Sequence, residues 1–410
     1  MEMAEGLYIV AVPYFPRPDN WRGGYFIDIV KSLMRMRDGV RLFVPGDGTD
    51  YEIAGVRVHT FRYRVGPCGV FPAAYSLWNR RSFERKCREL GIGWSDIDVY
   101  HAHAAALVPL ADRAVRENPA ILRVLHFHNL GSPFDLRAGR LGVVPLHAEL
   151  TYRAYRRWFE SVDLAVFVSE RQRGEFGKWF PNGFLEPSVD VRKDLPFGGR
   201  LDAIELRRAC VVHNGIDAEL FNPTGRPERS TQRPFTVGCV ANFWKSKDQM
   251  TLLRATRILN ERPGRLKVIL VGSGETRVAC ERYVRQHALD EVVEFRDEVQ
   301  HWELPDFYRA LDLYVLPSLA EGFNCSCLEA YGCGTPFIAC RDTSAEEALA
   351  KKDWNRWLFP RGDEKSLAEL IDRVRRERPR QELAGDFAID GLVGGLLKTE
   401  MEIIRGRAAS

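Results

Sequence analysis

The chain has 410 residues, 45% of them hydrophobic, and its 59 basic residues nearly balance 56 acidic ones for a net charge of +3. That length can bury two cores and favours two or three domains, while so small a charge does not by itself imply nucleic acid as a partner. No segment reaches the roughly 20 apolar residues of a membrane span. The apolar run 7–12 is too short for a secretory signal and follows acidic rather than basic residues. The nine cysteines are odd in number and scattered, with no Cys-x2-Cys pair, which favours a reducing cytosol over a disulfide framework.

Residues 7–12 read as a first buried strand, running through a Pro- and Trp-containing loop to Gly23-Gly24 and a helix over 25–37. A glycine pair ahead of a helix lets backbone approach a ligand closely. Strands are expected at 40–44 and 56–60. The stretch 61–90 is basic and aromatic, carrying Arg80, Arg81, Arg85 and Lys86. Asp98-Val99-Tyr100-His101-Ala102-His103 reads as a strand end before a helix over 104–116, and 121–127 as a strand ending in His126-Phe127-His128-Asn129. Alternation along that strand puts His126 and His128 on one face. A strand at 162–168 precedes Ser169-Glu170. The segment 173–208, rich in Pro, Gly and charge, reads as an insertion, and Cys210 to Val212 as a short strand before His213-Asn214-Gly215-Ile216-Asp217. The polar segment 224–233 reads as a linker, so that 1–223 is expected to form one domain and 234–390 a second.

The second half opens with a strand at 235–240, then Ala241-Asn242-Phe243-Trp244-Lys245-Ser246-Lys247-Asp248 and a helix over 249–260. Next come a strand at 267–271 with Gly272-Ser273-Gly274, a helix over 277–287, a strand at 292–295 and Asp297-Glu298-Val299. The apolar run 311–316 is a buried strand ending at Pro317. It is followed by the loop Glu321-Gly322-Phe323, by Asn324 as the cap, and by a helix over 325–331 that Gly332 and Gly334 stop. The free amides and positive dipole end of such a helix suit a phosphate. Glu321 stands in the loop and Glu329 in the second helical turn, and carboxylates beside a diphosphate must face hydroxyls. This suits a sugar on one side and a ribose on the other. Cys325, Cys327, Cys333 and Cys340 straddle a helix and a strand within this stretch and read as small buried residues, not metal ligands. Helices over 364–377 and 392–405 close the chain.

The pattern Ser-Leu-x-Glu-Gly-Phe-x4-Leu-Glu-Ala-x3-Gly-Thr-Pro at 318–336, with Asn214-Gly215-Ile216-Asp217 and the His-x-His strand end, resembles the retaining glycosyltransferases of family GT4. The resemblance implies the α/β GT-B fold, with two Rossmann-like domains about a deep cleft and a terminal segment 391–410 crossing back to the first. It implies that Glu321 contacts the hydroxyls of the donor sugar, that Gly322, Phe323 and Asn324 hold sugar and phosphate, and that Glu329 binds the ribose. Val299 is implied to meet the nucleobase, Gly23 and Gly24 to face the donor phosphates, and His128 to touch the sugar, with His126 as competitor. For His101 and His103 a structural hydrogen-bonding role is preferred. Lys247 matches the family's diphosphate-binding lysine. Its usual arginine partner is missing, since Asn242 or Trp244 stands there, and Lys245 is the candidate substitute. Lysine lacks the bidentate fork of arginine.

The implied activity is metal-independent, cofactor-free transfer of a hexose from a nucleoside-diphosphate sugar to an acceptor hydroxyl with retention. UDP-sugars are favoured and GDP-mannose is second. His128, Glu321 and Lys247 would carry catalysis, in a cytoplasmic enzyme of envelope glycan or glycoconjugate synthesis. A silent sugar-nucleotide binding protein and a GT-B epimerase are the alternatives. The acceptor, lipid-linked, soluble or a small molecule, is left open. The basic and aromatic stretches 61–90 and 152–159 read equally as a peripheral membrane contact of the first domain and as solvated helix faces.

Overall fold

The computed structural model describes residues 6–17, 23–64, 72–128, 146–174, 176, 206–228, 233–262 and 264–408. The chain divides into two compact units, one formed by 1–213 with 392–410 and the other by 214–391.

The first unit is built on an eight-stranded sheet. Its strands are β1 (Leu7–Ala11), β2 (Val40–Gly46), β3 (Tyr51–Ile53), β4 (Val56–Arg62), β5 (Ile97–Ala102), β6 (Leu122–Phe127), β7 (Leu164–Phe167) and β8 (Ala209–Val211), in the order β3-β4-β2-β1-β5-β6-β7-β8. Every pair is parallel except the edge hairpin β3–β4. Parallel strands are covered on both faces, which is why β1 and β7 are continuous apolar runs. The helix Gly24–Met36 turns Phe26, Ile27, Ile29, Val30 and Leu33 inward, at the spacing that makes one helical stripe. The helix Ile389–Ala408 closes this unit through Glu400, whose Oε1 accepts from the Tyr8 hydroxyl at 2.9 Å, and through Arg407, paired with Asp163.

The second unit has a six-stranded, all-parallel sheet of β9 (Phe235–Val240), β10 (Leu266–Val271), β11 (Val293–Arg296), β12 (Leu313–Leu316), β13 (Phe337–Cys340) and β14 (Leu358–Phe359), in the order β11-β10-β9-β12-β13-β14. The order reverses between β9 and β12, a switch point of the kind where open α/β sheets bind ligands at the carboxyl ends of strands.

Several expectations change. Residues 214–223 pack with the second unit: Ile216 exchanges backbone hydrogen bonds with Phe387 and Ile389 at 2.9 Å each, and Arg309 Nε donates to the Asn222 carbonyl at 2.9 Å. The expected helix over 104–116 is a 3-10 segment, Ala105–Ala111, followed by the short α-helix Asp112–Glu117. Pro109 lies inside it and cannot donate the helical hydrogen bond. Of the aromatic residues read equally as a membrane contact and as a packed helix face, Tyr155, Trp158 and Phe159 of the helix Leu146–Ser161 belong to the core. Of the basic residues on the helix Pro72–Glu89, Lys86 pairs with Asp50 at 2.7 Å and Arg80 with Glu84 at 3.5 Å, while Arg81 and Arg85 are exposed. Among the described residues, no helix is long and apolar enough to cross a membrane. Most of the segment 173–208 lies outside the described residues.

Candidate active site

In the second unit two loops at the carboxyl ends of the central strands meet. The loop after β9 carries a single 3-10 turn, Lys245–Lys247, and the loop after β12 carries Glu321. They are joined by a backbone hydrogen bond from Leu319 N to Ser246 O at 2.8 Å and by an ion pair of Lys247 Nζ with Glu321 Oε1 at 2.5 Å. Lys247 and Glu321 side chains are only 20% and 12% exposed, so the pair is poorly screened. Lys245 points outward on the same turn and is exposed. Asp248 follows with φ +45° and ends the turn in the left-handed region, where its carboxylate accepts from the Thr251 hydroxyl at 2.6 Å.

The Gly272-Ser273-Gly274 turn supports this corner. A Cβ on Gly272 would stand 2.3 Å from the Ala241 carbonyl oxygen, and one on Gly274 2.6 Å from that of Phe243. Both glycines have φ values far into positive territory, +139° and +145°. They are required because the turn packs directly on the lysine loop, with Phe243 N donating to Ser273 O and Thr276 N to Phe243 O. At the positions of the missing arginine, Asn242 is half-buried and Trp244 is 42% exposed.

The helix after Glu321 spans Cys325–Gly332. Asn324 precedes it, but its side chain does not cap the helix: its Oδ1 instead accepts from the Ser344 hydroxyl at 3.2 Å. The expected side-chain cap is therefore replaced by a tie to the neighbouring loop. At the other end Thr335 N bonds Ala330 O and Gly334 N bonds Tyr331 O, both at 2.8 Å, with Gly334 at φ +80°. This is the paired closure that a left-handed glycine permits. Gly322 is half-buried, Phe323 is buried beside the Phe387 ring, and Cys327, Cys333 and Cys340 are buried. Burial pushes the Cys340 thiol up to about 12.

Glu329 is buried, and its Oε2 accepts from the Tyr308 hydroxyl at 2.7 Å, while His301 Nδ1 stands 4.0 Å from Oε1. Burial, then the charge of Glu329, drive the Tyr308 phenol well above its ordinary pKa, so Tyr308 is a fixed donor. Neither Tyr308 nor His301 was singled out by the sequence, since no local spacing connects them to Glu329. Val299, half-buried, lies in the segment between β11 and His301.

The first unit holds the other expected residues. Gly23 sits at φ +86°, and a Cβ there would lie 2.9 Å from the Tyr14 ring. Gly24 begins the helix, which brings Tyr25 and Phe26 against the His128 ring at centroid distances of 5.4 and 5.2 Å. His128 is not alone: its Nε2 is 2.7 Å from His103 Nδ1, and it stacks on His126 at 4.4 Å. His126 and His128 thus share one cluster with His101 and His103. Burial holds all four imidazoles well below their ordinary pKa, His126 at about 3. His101 Nδ1 meets the Tyr8 hydroxyl at 2.7 Å, which links it to Glu400, whose carboxyl burial raises to about 8.

A family model for glycosyl transferases group 1 matches residues 234–377, and one for glycosyltransferase family 4 matches residues 23–183. The chain belongs to the group 1, GT4-type glycosyltransferases. Within the family it is 28% identical over 206 residues to D-inositol 3-phosphate glycosyltransferase of Paenarthrobacter aurescens, a match covering 47% of this chain and 49% of that protein. The matched segment therefore spans about half the length of that relative. Among solved structures, the catalytic domain of starch synthase IV from Arabidopsis thaliana, bound to ADP and acarbose, aligns with a TM-score of 0.66 at 15% identity, over 99% of this chain and 100% of that one. Anabaena HepE in complex with UDP-glucose aligns with a TM-score of 0.64 at 17% identity, over 98% and 99%. At these identities the likeness concerns the fold, the two Rossmann-like α/β domains of GT-B glycosyltransferases.

Proposed function

We propose that this group 1 glycosyltransferase transfers a hexose-type sugar from a nucleoside-diphosphate sugar, a UDP-sugar before GDP-mannose, to an acceptor hydroxyl with retention of configuration. The observation that carries the reading is the Lys247–Glu321 pair at 2.5 Å, which holds a cation and a carboxylate on one sheet corner beside a helix start. In this reading the diphosphate displaces Glu321 from Lys247 and takes the lysine charge, with Lys245 as a second cation. The released Glu321 carboxylate then accepts from the sugar hydroxyls. Glu329, aimed by Tyr308, accepts from the ribose, Val299 meets the base, and Gly322, Phe323 and Asn324 line the sugar and phosphate. In the first unit Gly23 and Gly24 bring the backbone close to the donor phosphates, and His128 orients the sugar.

Departure of the nucleoside diphosphate builds negative charge, and preorganised cations and amides stabilise it without reorganisation at the moment of reaction. The bond from the sugar C1 to the diphosphate oxygen breaks while the acceptor oxygen bonds C1 on the same face, and the acceptor proton passes to the departing phosphate oxygen. A double displacement needs a second carboxylate about 5 Å from the first, flanking the bond. Glu321 and Glu329, assigned to sugar and ribose, do not fill that role. No metal is needed on the diphosphate, so added Mg2+ should not change turnover. The missing arginine favours one other reading, a sugar-nucleotide binding protein without turnover. Labelled UDP- and GDP-sugars incubated with an extract containing glycan acceptors separate the two: label in product supports transfer, and binding without transfer supports the silent protein.

A further inference from the structure

Four histidines of the first unit, His101, His103, His126 and His128, lie on one face of two neighbouring strands. β5 and β6 pair in parallel with His101 opposite Val124 and Ala102 opposite Leu125, so alternation places residues 101, 103, 126 and 128 side by side. The rings are stacked, His101 on His103 at 4.3 Å and His103 on His126 at 5.1 Å. A neutral imidazole carries one N–H and one lone pair, and buried polar atoms are as a rule partnered. Here His101 Nε2, His103 Nε2 and both ring nitrogens of His126 are buried with no hydrogen-bond partner among the described residues. Ligand atoms of these three rings lie within 4.8 Å of one another.

The surroundings orient two of the rings. Tyr8 donates its hydroxyl hydrogen to Glu400 Oε1, and its oxygen faces His101 Nδ1 at 2.7 Å. With Nδ1–H donating to Tyr8, the Nε2 of His101 is left as a bare lone pair. His103 is engaged on Nδ1 by His128, so it too presents Nε2 to the cluster. An imidazole fixed through one nitrogen by a hydrogen-bonded outer group, with the other nitrogen free, is the arrangement of a metal-ligating histidine.

We propose that His101, His103 and His126 bind one divalent transition-metal ion of the Zn2+ class. Three neutral imidazoles suit Zn2+ and leave a fourth position open. Rotation about the histidine ring torsion, which is broad, turns the stacked lone pairs onto a common point. The ion locks the ends of β5 and β6 together and, through His103, fixes the His128 ring. It takes no part in the bond change and lies in the first unit alone, so its failure leaves the donor reading of the second unit standing.

The full chain, stripped with chelator, is titrated with Zn2+ and then with Co2+. The site requires one ion per chain and a Co2+ spectrum of nitrogen and oxygen ligation without a thiolate charge-transfer band. His126→Ala should lose the ion. Tyr8→Phe, which keeps every ligand, should bind about 10–100-fold more weakly, the cost of losing an outer contact. A chain that retains no ion, a thiolate band placing it on the cysteines, or a folded Tyr8→Phe or His126→Ala protein with parental affinity would each overturn the site.

Discussion

Replacing Glu329 by Gln separates its two roles. In the parent, Glu329 Oε2 accepts from the buried Tyr308 hydroxyl at 2.7 Å, and Oε1 is proposed to accept from the ribose. Glutamine keeps a carbonyl acceptor for Tyr308 but loses the charge. Hydrogen bonds to charged groups contribute about 1.5–3 kcal/mol, so the affinity for UDP should fall roughly 10- to 150-fold, since ~1.4 kcal/mol is tenfold. Stability should be nearly unchanged. Glu329→Ala also leaves the Tyr308 hydroxyl buried without its acceptor, a cost of about 1–3 kcal/mol. For a unit of this size the melting temperature should drop by about 2–4 °C per kcal/mol. Calorimetric titration with UDP and 2′-deoxy-UDP, beside thermal melts, makes the check. Glu329→Gln should no longer distinguish the two ligands. Parental affinity of Glu329→Gln for every nucleoside diphosphate tested would refute the ribose assignment.

Lys247→Ala should nearly abolish donor use and cost about 1–3 kcal/mol of stability by stranding the Glu321 carboxylate, whereas Lys245→Arg should preserve or improve donor affinity; a Lys245→Ala protein that binds donor like the parent makes Lys245 a surface residue. His128→Ala should lower turnover on the order of 10²–10³ while nucleotide affinity survives, and damage from His126→Ala with a silent His128→Ala would show that the sugar contact is His126. The Glu400 carboxyl, raised to about 8 in the folded chain from an ordinary value of 4.5, holds a proton that the unfolded chain has lost. The stability this gives is complete below about pH 4.5 and is lost as pH rises towards 8. Between pH 6.5 and 8 the melting temperature of the metal-stripped parent should therefore fall relative to that of Glu400→Gln as pH rises, since the four buried histidines titrate alike in both proteins; parallel curves would contradict the assignment.

The corner from β12 to the Cys325–Gly332 helix was legible because its signals are local: an apolar run, a proline, and glycines that only a helix stop explains. The parallel α/β class was legible from strands alternating with helical segments, whereas the strand order came only from the pairing of the strands. What was not legible rests on distant contacts. Tyr8 and Glu400 are 392 positions apart, and Tyr308 and Glu329 are 21 apart. Alternation put His126 and His128 on one face, but only the pairing of β5 with β6 adds His101 and His103 to it. Asn324 has the side chain of a cap, yet Ser344 competes for it. The aromatic residues of 152–159 alternate with arginines in sequence, and helical periodicity turns Tyr155, Trp158 and Phe159 inward and leaves Arg153 and Arg157 outside.

Sugar transfer is proposed to depend on the Lys247–Glu321 corner. This dependence is tested most directly by following anomeric configuration in product made from labelled UDP- and GDP-sugars with acceptor-containing extract, using the parent and Glu321→Gln. The parent should transfer label with retained configuration, and Glu321→Gln should be slower by about 10²–10³ while still binding the nucleotide. Inverted product, or equal rates from both proteins, would contradict the proposal.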